Sequence, residues 1–175
     1  MNGAAIDLKK AAQEVTSRFP EKGRRAALLP LLHAAQERDG YVTGPGMQEI
    51  GEILGLTSAE VLSVATFYTM FHLEPKGEHV VGICHNMACA LRGAEGIIAA
   101  VEEHLGVECG QRTPDGKITL ERHECLAACD QAPMLQVDYD QMFGPLSPES
   151  AVELVTRISS GSDHWGPAEK SEAAS

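Results

Sequence analysis

Aromatic residues are scarce in this 175-residue chain, at 5%. No run approaches the roughly 18–20 consecutive apolar residues that cross a bilayer, which excludes a helical membrane span. The opening stretch MNGAAIDLKKAAQEV lacks the apolar core of a signal peptide, so a cytoplasmic location is expected. Basic clusters are missing as well. Lys and Arg number 14 against 25 Asp and Glu, a net charge of −11, and no nucleic-acid partner is expected of such a surface. Neither a glycine-rich phosphate loop nor a nucleophile elbow is present, and GPG at 44–46 has no strand before it and reads as a turn. The dithiol spacing C-x2-C is also absent, which weakens a thioredoxin-type thiol mechanism.

What is present is enough to fold. At 43% hydrophobic the chain can bury a core without disulfide staples. Charge is unevenly spread: residues 1–75 hold 7 basic and 9 acidic residues, net −2, and residues 76–146 hold 5 and 11, net −6. Solubility is the simpler meaning of that acidity.

The first 75 residues have helical periodicity. Ile6, Leu8, Ala12, Val15 and Phe19 fit one apolar face ended by Pro20. Leu28, Leu29, Leu31, Leu32 and Ala35 fit a second, with Pro30 marking either a helix start or a kink, and Gly40 a stop. Thr43 and Pro45 open a third helix through Met47, Ile50 and Leu54, closed by Gly55. TSAE at 57–60 is a capping box leading into Val61, Leu62, Val64, Ala65 and Tyr68. Phe67, Tyr68 and Phe71 read as a helix face, hence core, with an interface as the alternative. EPKG at 74–77 is the expected boundary.

Beyond it the period changes. EHVVGIC (78–84) is a strand that delivers Cys84 at its end. Residues 91–105 are helical on Ala94, Ile97, Ile98, Val101 and Leu105. TPDG (113–116) is a turn, KITLERHEC alternates and delivers Cys125, and APMLQVDY (132–139) is a further strand. Ser147 and Pro148 start a last helix through Ala151, Val152, Leu154, Val155 and Ile158. The expected fold class is α+β: a helical region over 1–75, a small α/β layer domain over 76–160, and a polar, low-complexity, mobile tail over 161–175.

Four of the five cysteines lie in two pairs, CHNMAC (84–89) and CLAAC (125–129), separated by 35 residues. In a reducing compartment paired thiols read as metal-binding or catalytic before they read as disulfides. Each pair follows a strand, and neighbouring strand ends bring such loops together. Four soft sulfur donors suit iron–sulfur chemistry or Zn2+. Gaps of four and three are wider than the two-residue zinc knuckle and favour one iron per pair across a [2Fe–2S] core, with structural zinc and unrelated thiols as the alternatives. Ala88, Ala90, Leu126, Ala127 and Ala128 are small or apolar and would let backbone N–H groups approach sulfur while keeping water away. The acidic surroundings predict a low reduction potential. His85 and His123 are expected to stay outside the ligand set, Cys109 to be a lone core or surface thiol, Glu124 and Asp130 to be solvated loop charges, and Met87 and Met134 to serve packing.

CHNMAC, ECLAACDQAPMLQV and FGPLSPE resemble the small [2Fe–2S] subunit of NADH:quinone oxidoreductase, respiratory complex I. The upstream stretches GRRAALLPLLHAAQERDGYV and EVLSVATFYTMF resemble its helical N-terminal part, so the likeness covers about residues 12–158. It implies a thioredoxin-like [2Fe–2S] ferredoxin domain after the helices, and Cys84, Cys89, Cys125 and Cys129 as ligands of one cluster, with no catalytic residue of the chain's own. It further implies an FMN- and NADH-binding flavoprotein partner whose flavin exchanges single electrons with this cluster, a larger iron–sulfur subunit, and attachment to the cytoplasmic face of the membrane only through the assembly. Docking to these partners would fall to residues 1–75. The wider family includes equivalent subunits of NAD-linked hydrogenases and formate dehydrogenases, which the sequence does not separate from complex I. A zinc-stapled structural subunit and a thiol–disulfide oxidoreductase remain alternatives of other classes. Two departures stand out: the family commonly has glycine where Ala127 stands, and VDYDQMFGPL (137–146) lacks the usual Asn-Asp turn and paired tyrosines.

Overall fold

The structure is a computed structural model and describes residues 6–161. The chain divides into two compact units, Met1–Pro75 and Lys76–Ser175. The expected mobile tail lies, apart from Gly161, outside the described residues.

The first unit is helical. α1 (Leu8–Thr16) is capped by the Asp7 carboxylate, which accepts from the Lys9 and Lys10 N–H groups, and buries Leu8 and Ala12. A 3-10 segment, Glu21–Ala27, leads into α2 (Leu28–Asp39). Pro30 therefore sits in the first turn of α2, where its missing N–H would have had no helical partner anyway, and no kink is needed. Gly40 ends α2 at φ 82°. α3 (Gly44–Leu54) is capped by Thr43, whose hydroxyl accepts from the Gly46 N–H at 3.1 Å. At its end Gly51 meets the Leu56 carbonyl so closely that a Cβ there would lie 2.7 Å from the oxygen. The reciprocal box of Thr57 and Glu60 opens α4 (Ser58–Phe67).

α4 stops at Phe67, and Tyr68 is extended (φ −100°, ψ 120°). Phe67, Tyr68 and Phe71 therefore do not share a helix face. Val61 and Ala65 point into the core, and Phe67, two residues on from Ala65, is turned about 200° away. Phe71 is buried and Tyr68 half-buried, whereas Phe67 is 77% exposed. No single helix among the described residues is long and apolar enough to cross a membrane.

The second unit is a mixed four-stranded sheet in the order β2-β1-β3-β4. β1 (His79–Cys84) pairs in parallel with β2 (Ile118–His123), from His79 opposite Ile118 to Cys84 opposite His123. A parallel neighbour requires a crossover, supplied by α5 (Met87–Leu91) and α6 (Ala94–Leu105). β3 (Leu135–Val137) runs antiparallel to β1 and forms a hairpin with β4 (Gln141–Phe143). α7 (Pro148–Ser159), capped by Ser147, closes the unit. Val81, Ile83, Ile118, Leu120, Leu135 and Val137 line one sheet face and pack on Ile97, Ile98 and Val101 of α6 and Leu154, Val155 and Ile158 of α7.

The sequence pattern extends β3 over the whole of 132–139, but only three residues pair. The chain leaves the strand at Asp138 and Tyr139, both at positive φ (52° and 65°), as in the primed turns that match strand twist. The Asp138 carboxylate accepts from the Val80 N–H at 2.8 Å and pairs with His79 Nδ1 at 2.7 Å, pinning this unusual turn to the start of β1.

Candidate metal centre

The parallel pairing of β1 and β2 decides where the cysteines go. Cys84 is the last residue of β1, and Cys125 follows two residues after the end of β2, so both segments leave the same end of the sheet. After Cys84 the chain does not continue as a loop. The Asn86 side chain accepts from the Met87 N–H at 2.7 Å and starts α5, a short helix that returns Cys89 to the buried cluster that holds Cys84. The Asn86 cap is the one local trace of this helix in the sequence, and without a period to follow it a single cap residue does not reveal the element. Cys129 begins a 3-10 turn, Cys129–Gln131.

The two pairs differ in depth. Cys84 and Cys89 are 4% and 3% exposed, whereas Cys125 and Cys129 are exposed. Ala94, Ala132 and Met134 are buried beside the inner pair, and Ala88, Leu126 and Ala128 pack against them. Ala90 and Ala127 are instead exposed. Within each pair the sulfurs are neighbours, and across the pairs they feel one another. Burial first, then contact with Cys84 and the charges of Cys84 and Cys129, pushes the Cys89 thiol up to about 11. The charge of Cys125 leads the causes that raise Cys129, with Cys84 and Asp130 adding to it. Cys89 and Cys129 are each disfavoured as free thiolates, the form that binds a metal, and a cation beside them would reverse that.

Two further contacts reach sulfur. The Ala127 N–H donates to Cys125 Sγ at 3.4 Å, an approach achieved with Ala127 at φ 56°, a conformation that favours glycine. The Glu124 carbonyl accepts from Cys84 Sγ at 3.8 Å. The departure from glycine at position 127 therefore falls where the backbone bends around a sulfur.

The other candidate residues stand elsewhere. His85 Nε2 lies 3.8 Å from the exposed Glu124 carboxylate. His123 bonds Glu121 at 3.1 Å and stacks on Tyr139. Cys109 packs against the sheet core, and burial together with Glu102 pushes its thiol up to about 11. Met134 is buried, as packing requires, but Met87 is 78% exposed and fills no core. Among the described residues no three His, Cys, Asp or Glu side chains are placed to hold a single metal ion. Donors presented as an inner and an outer pair fit a two-iron centre, one pair to each metal, in their softness, their spacing and their apolar lining.

Fold and donor set together define a class: a small mixed-sheet domain that offers four cysteine sulfurs in two pairs from one sheet end. The chain belongs to the thioredoxin-like [2Fe-2S] ferredoxin family, whose model matches residues 12–159, and within it to the ferredoxin-like subunits of NADH-quinone oxidoreductase. It is 46% identical over 153 residues to an NADH-quinone oxidoreductase subunit of Mycobacterium tuberculosis (87% of this chain, 60% of the relative). It is 35% identical over 151 residues to NADH-quinone oxidoreductase subunit 2 of Thermus thermophilus (86% and 78%). The chain thus spans about 60% of the length of the mycobacterial relative. In fold it resembles a chain of an NAD+-reducing [NiFe]-hydrogenase in the H2-reduced state, with a TM-score of 0.69 at 20% identity over 77% of this chain and 22% of that one.

Proposed function

We propose that this chain is an electron-carrying subunit of an NADH-quinone oxidoreductase, and that Cys84, Cys89, Cys125 and Cys129 hold one [2Fe–2S] cluster. The observation that carries this is the gathering of those four sulfurs, as two pairs, at one end of the β1–β2 ladder. When bound, such a cluster supplies one-electron exchange without making or breaking bonds to substrate. The chain's own part is therefore to hold, shield and present. Cys84 and Cys89, with Ala94, Ala132 and Met134, form the dry inner wall. Cys125 and Cys129 form the exposed side, across which an electron-exchanging partner would approach. The Ala127 N–H donates to Cys125 Sγ, the kind of contact through which a protein tunes an iron–sulfur centre.

The partner in this reading is a flavoprotein subunit that binds FMN and NADH, together with a larger iron–sulfur subunit. Membership of the equivalent assembly in an NAD-linked hydrogenase or a formate dehydrogenase is the alternative within the same chemistry. The cytoplasmic side of the membrane is where the assembled complex would place the chain.

Single replacements test the ligand set. Cys84→Ala, Cys89→Ala, Cys125→Ala and Cys129→Ala should each abolish or severely weaken cluster incorporation, and Cys109→Ala should leave iron and sulfide content unchanged. Bleaching by Cys109→Ala with retention in Cys129→Ala would show the assignment to be wrong. Co-expression with the flavoprotein then tests the function: NADH should bleach the visible absorption of this chain's cluster only when the partner is present.

A further inference from the structure

We infer that Arg92 is a positioning residue that straps the two cysteine segments together and governs how firmly the cluster is held; the inference rests on the ligand set proposed above. Arg92 directly follows α5. Its backbone N–H donates to the Cys89 carbonyl at 3.1 Å, which fixes it to the inner pair. Its guanidinium Nη1 reaches across and donates to the Ala132 carbonyl at 3.2 Å. Ala132 is fully buried, and its own N–H donates to the Cys129 carbonyl at 3.4 Å, closing the turn that begins at Cys129. One residue thus links Cys89 to Cys129 through three hydrogen bonds, from one cysteine segment to the other.

The strap is held from behind as well. Gly93, at φ 93°, lets the chain reverse at once into α6, whose first residue, Ala94, is fully buried in the wall beside the cysteines. The Arg92 backbone has little freedom to drift, so its side chain pulls from a fixed base. Arginine suits the task because its rigid guanidinium spans the gap with a fixed donor direction. Lysine keeps the charge but offers a point donor on a flexible stem.

The physical consequence concerns the outer pair. Cys125 and Cys129 are exposed, so loss of iron begins there, when that segment swings away from the buried pair. A bond from the Cys89 side to the Ala132 carbonyl resists that swing. Arg92 is itself exposed, so its removal should alter the centre more than the stability of the fold.

The test compares full-length wild type, Arg92→Lys and Arg92→Gln. Iron and sulfide content come first, then thermal melting, the visible circular dichroism and EPR line shape of the centre, and the rate of iron loss to a chelator. Arg92→Gln should load, should melt close to wild type, and should lose iron about ten-fold faster with an altered dichroism, with Arg92→Lys between the two. Equal rates and identical spectra would overturn the inference. So would a faster loss matched by a much lower melting temperature, because that is a folding defect. If Arg92→Gln takes up no cluster, Cd2+ binding to the apo chains, followed by thiolate–metal absorption, decides. Weaker binding in Arg92→Gln, partly restored in Arg92→Lys, supports the strap, and equal binding removes it. A wild type with neither iron nor sulfide would refute the ligand reading instead, and the Cd2+ comparison would still judge the strap.

Discussion

At Gly82, in the middle of β1, the space a side chain would occupy is already filled. A Cβ there would lie 2.2–2.5 Å from three ring atoms of His123 on the neighbouring strand. That ring is itself fixed, bonded to Glu121 at 3.1 Å and stacked on Tyr139 at 5.9 Å with 17° between the planes. Gly82 and His123 are therefore one packing unit, two residues from Cys84 and two from Cys125. Gly82→Ala should displace the ring and cost about 1–3 kcal/mol, the usual penalty of overpacking, measured as a lower urea midpoint. Adding His123→Ala should recover part of that loss, with a coupling of about 0.5–3 kcal/mol. A Gly82→Ala chain as stable as wild type would show the ring to be free to move. In the sequence His123 is legible only as a histidine near a cysteine. Its seat on a glycine one strand away depends on register, which a single sequence does not display.

Among the elements, the joint between α2 and α3 rests on charge. Arg38, in the last turn of α2, donates to Asp39 at 2.7 and 2.9 Å and to Glu49 of α3 at 2.8 Å, while Thr43, the cap of α3, donates to Asp39 at 3.1 Å. The Arg38 guanidinium first, and then the Thr43 hydroxyl, hold the Asp39 carboxyl below its ordinary value against the opposing effect of burial. A carboxyl depressed in the folded state contributes stability that is complete above the unfolded pKa and disappears as pH falls through the folded one. Asp39→Asn should therefore destabilise by about 0.5–1 kcal/mol at neutral pH, given a partly exposed site. The difference should shrink below about pH 4. A difference that persists unchanged into strong acid would assign the effect to lost packing. Elements of this size are legible where caps and periodicity agree, as at Thr43, Thr57, Ser147 and the face of α6 from Ala94 to Val101. α5, of five residues, and β4, of three, are too short to show a period, and the sequence pattern does not reveal them. Phe67 misleads because the helical spacing continues in the sequence past the point where Tyr68 turns extended.

At the scale of the molecule, the proposed function divides between the two units. In that reading the cysteine unit carries the cluster: the spacing of its cysteines points to a metal centre, and the parallel β1–β2 pairing sends both cysteine segments out from one sheet end. What the spacing does not convey is depth, an inner buried pair and an outer exposed one, or the Arg92 link between them, since both arise from chain crossovers. The helical unit carries an apolar cavity of about 510 Å³ lined by Arg25, Leu28, Leu29, Val64, Phe67 and Tyr68. With Phe67 standing 77% exposed at its edge, this is the surface at which we propose that a flavoprotein subunit docks. Phe67→Glu in the full chain should lower recovery of the chain with the proposed flavoprotein partner while leaving iron and sulfide content unchanged. Undiminished recovery would place the docking surface elsewhere.

The most direct measurement is the iron, sulfide and zinc content of the anaerobically purified full-length chain, with an EPR spectrum after dithionite reduction and a redox titration of the signal. A [2Fe–2S] carrier gives two irons and two sulfides per chain, a rhombic spin-half signal and a negative midpoint, as the −6 charge over residues 76–146 implies. One zinc per chain, no sulfide, and no signal even after reconstitution with iron and sulfide would contradict this, and would leave a structural zinc protein in place of an electron carrier.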